Sequence, residues 1–257
     1  MSLHTKIYAF LLLLAALFFN SCASNKAIHY LQNTKGIAAE GTLYENTLQP
    51  DDNLLITVTA EEPELAKDFN LIYLNMQSSE NRNIVDPTLY SYILDQRGEI
   101  DFPVLGKIKL SGLTRIQAEE KIKQLLKNYI VNPGVNLRIL NFKVSVVGEV
   151  SRPGAVRVTG DRITILEALS ECGDMTIYGK RKEVLVIRDK DGATTVASVD
   201  ITDPKLITSP YYYLAHNDVV YVKQNRTRVN SSVIGPNLTV GISALSLIVT
   251  IIALSTR

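Results

Sequence analysis

The sequence predicts an α+β fold, with two soluble units followed by one C-terminal helix. Three observations support this prediction. Segments with strand character recur along the chain, only two short helices with clear start signals lie between them, and the two types do not alternate regularly. Regular alternation would instead indicate a parallel βαβ sheet. About 235 residues follow the N-terminal signal, which is enough for two domains of modest size.

The first 21 residues have the pattern of a signal peptide. A short start with one lysine precedes the apolar run at 7–19, which is shorter than a typical transmembrane helix. Cys22 follows directly, with the small Ser21 before it, and this arrangement resembles a bacterial lipoprotein cleavage site. In that class the cysteine becomes the first residue and carries the lipid, so we predict acylation of Cys22, by palmitate among other chains. The alternative is an ordinary secretory signal in which Cys22 is incidental.

The first unit is predicted to span 44–142, after a small, polar tether at 22–43. A turn at 50–53 precedes a strand at 54–59, and a polar loop or insertion follows at 61–90. Further strand segments come next, broken at a turn around Arg97 and Gly98.

The clearest helix of this unit begins at Thr114, where Gln117 three positions later completes a capping box. Five apolar residues at helical spacing predict its inner face: Ile116, Ile122, Leu125, Leu126 and Tyr129. The residues "VNPG" end the helix, and a strand at 135–140 follows.

The second unit is predicted to span 143–224. Strands at 143–150 and 155–158 precede a second capping box, Thr164 with Glu167, which opens a short helix. Two further strands flank an Asp191-Gly192 turn, a strong hairpin signal, and a last strand closes the unit. The run Tyr211, Tyr212 and Tyr213 is expected to pack on an edge strand rather than to stack on sugar rings.

Residue patterns for catalysis or metal binding are scarce. None of the three histidines lies at metal-ligand spacing, and neither a nucleophile elbow nor a glycine-rich phosphate loop is present. We therefore predict no enzyme activity, no catalytic residue, no metal and no cofactor. The paired carboxylates at 51–52 and 61–62 are expected in solvated turns. Cys172 has no internal disulfide partner once Cys22 carries lipid, and it is expected to pack in the core at a helix end.

The C-terminus combines a basic linker at 225–237 with a predicted transmembrane helix at 238–257. The apolar run at 238–254 would form a helix about 26 Å long, which suits the thin bacterial outer membrane. Four small polar residues fall on one helical stripe: Thr239, Ser243, Ser246 and Thr250. The stripe could pack against a neighbouring helix or line a water-filled lumen. A lone anchor in which the small residues are incidental is the third alternative.

Several of these segments together resemble the Wza-like polysaccharide export proteins. The resemblance to their polysaccharide-export domain is carried by "LQPDDNLLITV", "LDQRGEIDFPVLGKIKLSGLTRIQAEEKIKQLL" and "YIVNPGVNLRI". The resemblance to the β-grasp domain that follows, of the SLBB type, is carried by "FKVSVVGEVSRPGAVRVTGDRITILEALSECGDM" and "YYYLAHNDVVYVK". Asp51, Cys172 and Asn217 stand where the family usually has glycine. The resemblance covers roughly residues 44–223.

This resemblance implies an outer-membrane lipoprotein that forms a closed, porin-like homo-oligomeric ring, with eight subunits as one candidate number. Its body would lie in the periplasm and its C-terminus outside the cell. Such a ring exports capsular or exopolysaccharide, which an inner-membrane polysaccharide co-polymerase delivers. The formal charge of +1 indicates no nucleic-acid partner. The alternative is a monomeric, membrane-anchored lipoprotein that binds a soluble glycan.

Overall fold

A computed structural model describes residues 28–32, 46–71, 90–190, 192–233 and 236–255. The predicted signal peptide and Cys22 lie outside these ranges. So do Asp191 of the predicted hairpin turn and most of the predicted insertion at 61–90.

The first unit is built around a small antiparallel sheet. Its elements are β1 (Asn53–Thr59), α1 (Pro63–Ala66), β2 (Tyr92–Ile93), β3 (Glu99–Phe102), β4 (Gly106–Lys109), α2 (Arg115–Leu126) and β5 (Gly134–Ile139). The strands pair in the order β2-β1-β5, whereas β3 and β4 form a separate hairpin. Leu54, Ile56 and Val58 of β1 are buried because alternate side chains of a strand point to the same face.

Helix α2 covers this core with a narrow stripe of side chains. The stripe runs at four-residue spacing through Ala118, Ile122 and Leu126, all of them fully buried. The predicted inner face is therefore correct for Ile122 and Leu126 and wrong for its other three members, which are 39–54% exposed: Ile116, Leu125 and Tyr129. Because the buried stripe runs through Ala118, Ile122 and Leu126, helical geometry places Leu125 at its margin and Ile116 on the far side of the helix.

The second unit contains a five-stranded mixed sheet. Its elements are β6 (Lys143–Gly148), β7 (Gly154–Arg157), β8 (Ile163–Thr164), α3 (Ile165–Glu171), β9 (Gly179–Lys190), β10 (Ala193–Val199), β11 (Tyr213–Leu214) and β12 (Val219–Gln224). The sheet order is β10-β9-β12-β6-β7, and β12 runs parallel to β6. Valines dominate its core, and α3 covers them with Ile165, Ala168 and Leu169. The predicted strands and the β9–β10 hairpin are confirmed.

Both predicted capping boxes are present. The Thr114 hydroxyl accepts from the Gln117 N–H at 3.3 Å, and the Thr164 hydroxyl accepts from the Glu167 N–H at 3.1 Å. The Gln117 and Glu167 side chains each accept from the cap residue's own N–H. Cys172 lies at the C-terminal cap of α3 and is buried in the core, as predicted. Burial raises the pKa of its thiol.

Two helices follow the second unit: α4 (Arg226–Val233) and α5 (Pro236–Ser255). Most of the predicted basic linker is thus helical, and α5 confirms helical structure over the apolar run. Within the part of the chain that the structure describes, no helix combines the length and apolarity required to cross a membrane.

Candidate functional site

The two units meet at a buried polar contact between two turns. Nδ1 of His216, in the turn before β12, lies 2.5 Å from Oδ1 of Asp52, in the turn before β1. The two residues are only 5% and 1% exposed. The two atoms are within hydrogen-bond distance, and Nδ1 is the donor whenever the Asp52 carboxylate is ionised, because an ionised carboxylate can only accept. This contact joins residues 164 positions apart in the sequence.

Asn141 adds two hydrogen bonds where the chain passes from one unit to the other. Its Oδ1 accepts from the Asn53 N–H and its Nδ2 donates to the Asp51 carbonyl, both at 2.9 Å. We call Asp51, Asp52, Asn53, Asn141 and His216 the inter-unit joint. Ile139, just before it, packs against both hydrophobic cores. The joint therefore holds the two units by polar and apolar contacts at once.

Each turn of the joint is held from within by a buried carboxylate. Asp52 Oδ2 accepts from the Gln49 N–H at 2.8 Å. Asp218 is fully buried, accepts from the Ala215 N–H at 2.8 Å, and forms an ion pair with Arg188 at 2.7 Å. These contacts fix each turn in the conformation that orients His216 and Asp52 toward each other.

Two departures from the family pattern fall at this joint, and the backbone explains both. Asp51 has φ +69° and Asn217 has φ +64°, in the left-handed region. Glycine adopts this region freely, and Asn and Asp tolerate it better than most residues. The residue types that replace glycine at these positions are therefore ones that the turns can accommodate.

The carboxylates expected in solvated turns divide into two groups. Asp51, Glu61 and Glu62 are exposed, as predicted, but Asp52 is buried. The second unit covers it, which local sequence could not reveal. "PDDN" and "LAHND" each signal a turn, but nothing in either indicates that the two turns pair.

A cleft of about 710 Å³ lies beside the joint, between the first unit and the tip of the β9–β10 hairpin. Its lining includes the cations Arg97 and Lys109, the amides Gln49 and Gln96, and Asp189 from the hairpin. Side chains of these kinds can hydrogen-bond hydroxyl and carboxylate groups. Sequence reasoning did not identify this cleft, since its walls come from segments about 80 to 140 residues apart in the chain.

The predicted polar stripe lies on α5, although the side chain of Thr239 is outside the described part. Ser246 Oγ donates to the Ser243 carbonyl and Thr250 Oγ1 donates to the Ser246 carbonyl, both at 2.8 Å. These hydroxyl protons are therefore satisfied within the helix, and each oxygen can still accept a further hydrogen bond.

The tyrosine run packs as predicted. Tyr213 lies in β11, which pairs with β8, and Tyr211 and Tyr212 pack against the core of the second unit. Burial raises the pKa of Tyr212. The guanidinium groups of Arg188 and Arg162 each lie 5.1 Å from a ring centroid, over Tyr211 and Tyr213 respectively.

Two known protein families match successive parts of the chain, and the boundary between the matches lies at residue 141. A family model described as "Polysaccharide biosynthesis/export protein" matches residues 40–140, and one described as "SLBB domain" matches residues 142–222. The two matches lie on either side of Asn141, whose side chain ties the connecting segment to the turn before β1. A polysaccharide-export domain followed directly by an SLBB domain defines the class as polysaccharide export proteins, a family of transport proteins.

Two relatives carry the same name. The "EPS I polysaccharide export outer membrane protein EpsA" of Ralstonia nicotianae is 27% identical over 158 residues, which is 59% of this chain and 41% of the relative. Its namesake from Ralstonia solanacearum is 28% identical over 106 residues, which is 40% of this chain and 28% of the relative. The chain thus matches less than half the length of either protein. With both domains present in order, the chain belongs to the Wza-like polysaccharide export family.

Proposed function

We propose that this chain is a subunit of a homo-oligomeric ring that exports capsular or extracellular polysaccharide through the outer membrane. The observation that carries this proposal is the surface of α5. All described side chains from Val240 to Ile251 are exposed, and seven of them are large and apolar: Val240, Ile242, Leu245, Leu247, Ile248, Val249 and Ile251. A continuous apolar surface of this kind is typical of a helix that meets lipid or other protein chains.

No single described helix qualifies as a membrane span, so in the proposed ring several copies of α5 cross the membrane together, packed side by side. A helix of 20 residues is about 30 Å long, close to the thickness of a bilayer's hydrocarbon core. The apolar side chains would face lipid, and the stripe would face the lumen or the next helix. The internally bonded hydroxyls of Ser246 and Thr250 make this side compatible with either environment.

The inter-unit joint suits a ring because identical subunits close a ring only if each has the same shape. The buried hydrogen bond between the two turns, together with the Asn141 hydrogen bonds that fix the connecting segment on the first unit, would hold the two units at a constant angle. The proposed partners are the exported polysaccharide, other copies of this chain, and an inner-membrane polysaccharide co-polymerase that delivers the polymer. The proposed anchor is an acylated Cys22, with the body of the protein in the periplasm.

The position of the C-terminus tests this proposal. We would replace Arg257 with Cys in a Cys172→Ala background, and treat intact cells with a membrane-impermeant maleimide. Labelling comparable to that of a known surface protein is the expected result, since the end of a spanning α5 lies outside the cell. The Cys172→Ala protein without the added cysteine is the matched control. Labelling only after the outer membrane is broken would overturn the spanning arrangement.

The cleft beside the joint favours a second candidate, a monomeric anchored lipoprotein that binds a soluble glycan. Arg97, Lys109 and the glutamine amides supply hydrogen-bond donors of the kind that sugars require. The subunit number in detergent, measured by native mass spectrometry, separates the two candidates. A single closed oligomer supports the export ring, and a monomer at every protein concentration supports the glycan-binding lipoprotein.

A further inference from the structure

One loop of the second unit contacts both ends of the folded body. On the N-terminal side, the Leu31 and Gln32 N–H groups donate to the Ile201 and Thr202 carbonyls at 3.1 and 2.7 Å. The Tyr30 hydroxyl donates to Asp174, the first residue of the loop at 174–179. Burial, followed by this hydrogen bond to Asp174, raises the pKa of Tyr30, so the hydroxyl stays a donor at neutral pH.

The C-terminal side meets the same loop. The Asn225 N–H donates to the Tyr178 carbonyl at 2.7 Å, and the Arg228 guanidinium lies 5.4 Å from the centroid of the Tyr178 ring. Arg228 Nε also lies 4.0 Å from a Glu149 carboxylate oxygen. The 174–179 loop is therefore contacted both by the segment that follows Cys22 and by the helix that precedes α5.

Short stretches of chain connect this loop to the two proposed membrane attachments. Tyr30 lies eight residues after Cys22, and α5 begins eight residues after Arg228. Eight extended residues span at most about 28 Å. An acylated Cys22 and the start of α5 are both within that reach of the loop, so membrane attachment at both ends would bring this end of the second unit to the membrane surface.

The loop presents an apolar side chain at this end. Ile177 is 65% exposed, although its neighbour Met175 is buried in the core. Two hydrogen bonds to Thr176 fix the loop on the body of the second unit. The Thr176 hydroxyl donates to Glu149 at 2.7 Å, and Arg181 Nη1 donates to the Thr176 carbonyl at 3.1 Å. The loop is therefore held in place by hydrogen bonds while the Ile177 side chain stays exposed.

Arginines lie on the chain segments that contact the loop on both sides. Arg152, Arg226 and Arg228 are exposed, and the Arg152 N–H donates to the Cys172 carbonyl beside the loop at 2.8 Å. The acidic groups nearest the loop are already engaged, since Glu149 accepts from Thr176, and Asp174 accepts from Tyr30 and from the Met175 N–H. Glu171 is an exposed carboxylate of α3, and Glu183 pairs with Lys180, which lowers its pKa, and with Lys223.

We propose that the 174–179 loop rests on the phospholipid surface, with Ile177 in the headgroup layer and the arginines around it facing lipid phosphates. An apolar residue flanked by arginines matches a lipid surface, since the apolar chain enters the interface and the cations meet phosphate. The inference rests on the proposed function for the two membrane attachments, and it adds a third, non-covalent contact between them. The first unit then lies on the side of the second unit away from the membrane.

A fluorescent probe at position 177 tests this contact in the full-length, lipidated protein. We would introduce Ile177→Cys in the Cys172→Ala background, attach an environment-sensitive dye, and reconstitute the protein in vesicles of phosphatidylethanolamine and phosphatidylglycerol. Nitroxide-labelled lipids should quench this dye several-fold more than a dye at Val104→Cys, an exposed position on the β3–β4 hairpin of the first unit. Arg152→Gln should reduce the quenching at position 177, whereas Arg157→Gln on β7 should leave it unchanged.

The outcomes separate this inference from the proposal on which it rests. If the protein does not float with the vesicles, the membrane attachments fail and the proposed function fails with them. If it floats but the dye at 177 is quenched no more than the dye at 104, only the loop contact is overturned. Blue-shifted emission without quenching by the lipids would assign Ile177 to a protein neighbour and would also overturn it.

Discussion

Helices α2 and α5 use apolar residues in opposite ways. In α2, three side chains form a narrow buried stripe, and the chain's own sheet covers them. In α5, every described side chain from Val240 to Ile251 is exposed. Helix α2 is thus stabilised within one subunit, whereas the described residues leave α5 without a cover. The described core of the first unit is thus buried within one chain, whereas the exposed apolar surface of α5 is the surface that the proposed ring would place against lipid or other copies of the chain.

The largest expected effect comes from removing the polar stripe of α5. We expect replacement of Thr239, Ser243, Ser246 and Thr250 by Leu to retain the protein in the inner membrane, because a uniformly apolar helix would be held there during export. Fractionation of the two membranes measures this. Leu substitution at the apolar positions Val240, Ile242, Val249 and Ile251 is the matched control and should leave sorting unchanged. Normal sorting of the stripe variant would contradict the hypothesis.

Alanine variants of two adjacent leucines on α2, one buried and one exposed, test whether the sheet covers the predicted stripe. Leu126→Ala should lower the free energy of unfolding by about 3 kcal/mol, because it opens a cavity in the first core. The adjacent Leu125 is 39% exposed, and Leu125→Ala should cost less than about 1 kcal/mol. Urea unfolding of both variants measures the difference. Equal losses would mean that another surface covers Leu125.

The joint is expected to contribute a smaller amount. Asp52→Ala leaves His216 Nδ1 and the Gln49 N–H without their acceptor, which should cost about 2 kcal/mol. Asp51→Asn, at the exposed neighbour, keeps a residue type that tolerates the left-handed backbone and should change stability by less than about 0.5 kcal/mol. A loss for Asp52→Ala no greater than that for Asp51→Asn would show that the joint is not stabilising.

The smallest effect concerns Tyr92, whose hydroxyl is buried without a hydrogen-bond partner among the described residues. Tyr92→Phe should stabilise the protein by about 1 kcal/mol at neutral pH, since it removes an unsatisfied polar group. Destabilisation of similar size would show that this hydroxyl has a partner.

The pH dependence of the same variant follows from the pKa of Tyr92, which burial raises above its usual value of 10.0. The folded state then binds more protons than the unfolded state above about pH 10, so stability falls as the pH rises through that range. Tyr92→Phe should reduce the slope of the free energy of unfolding against pH there. An unchanged slope would contradict this assignment.

Much of the fold could be predicted because its signals are local. The capping boxes at Thr114 and Thr164 mark helix starts within four residues, and the hairpin signal before β10 involves only adjacent positions. The exposure of Leu125 could not be predicted, because helical spacing places it near the buried stripe and only the position of the sheet decides which residues it covers.

The candidate site was less predictable than the fold. Ser243, Ser246 and Thr250 could be predicted to share one side of α5, because a helix brings positions three and four apart together; their role stays a prediction. Asp52 and His216 were not identified as a pair, although each lies in a segment that matches the family. The burial of Asp52 depends on where the second unit docks, and that depends on contacts across both units.

By itself, the sequence determined the two-unit order, the helix starts, the β9–β10 hairpin and the helical, apolar character of the C-terminus. These features depend on hydrogen bonds and side-chain periodicity within a few residues. The tertiary structure alone decided that Asp52 meets His216, that a cleft opens beside them, and that the segments around Tyr30 and Asn225 both reach the 174–179 loop. Those features join residues far apart in the chain, and the pairing of distant surfaces is set by the packing of whole units rather than by local preference.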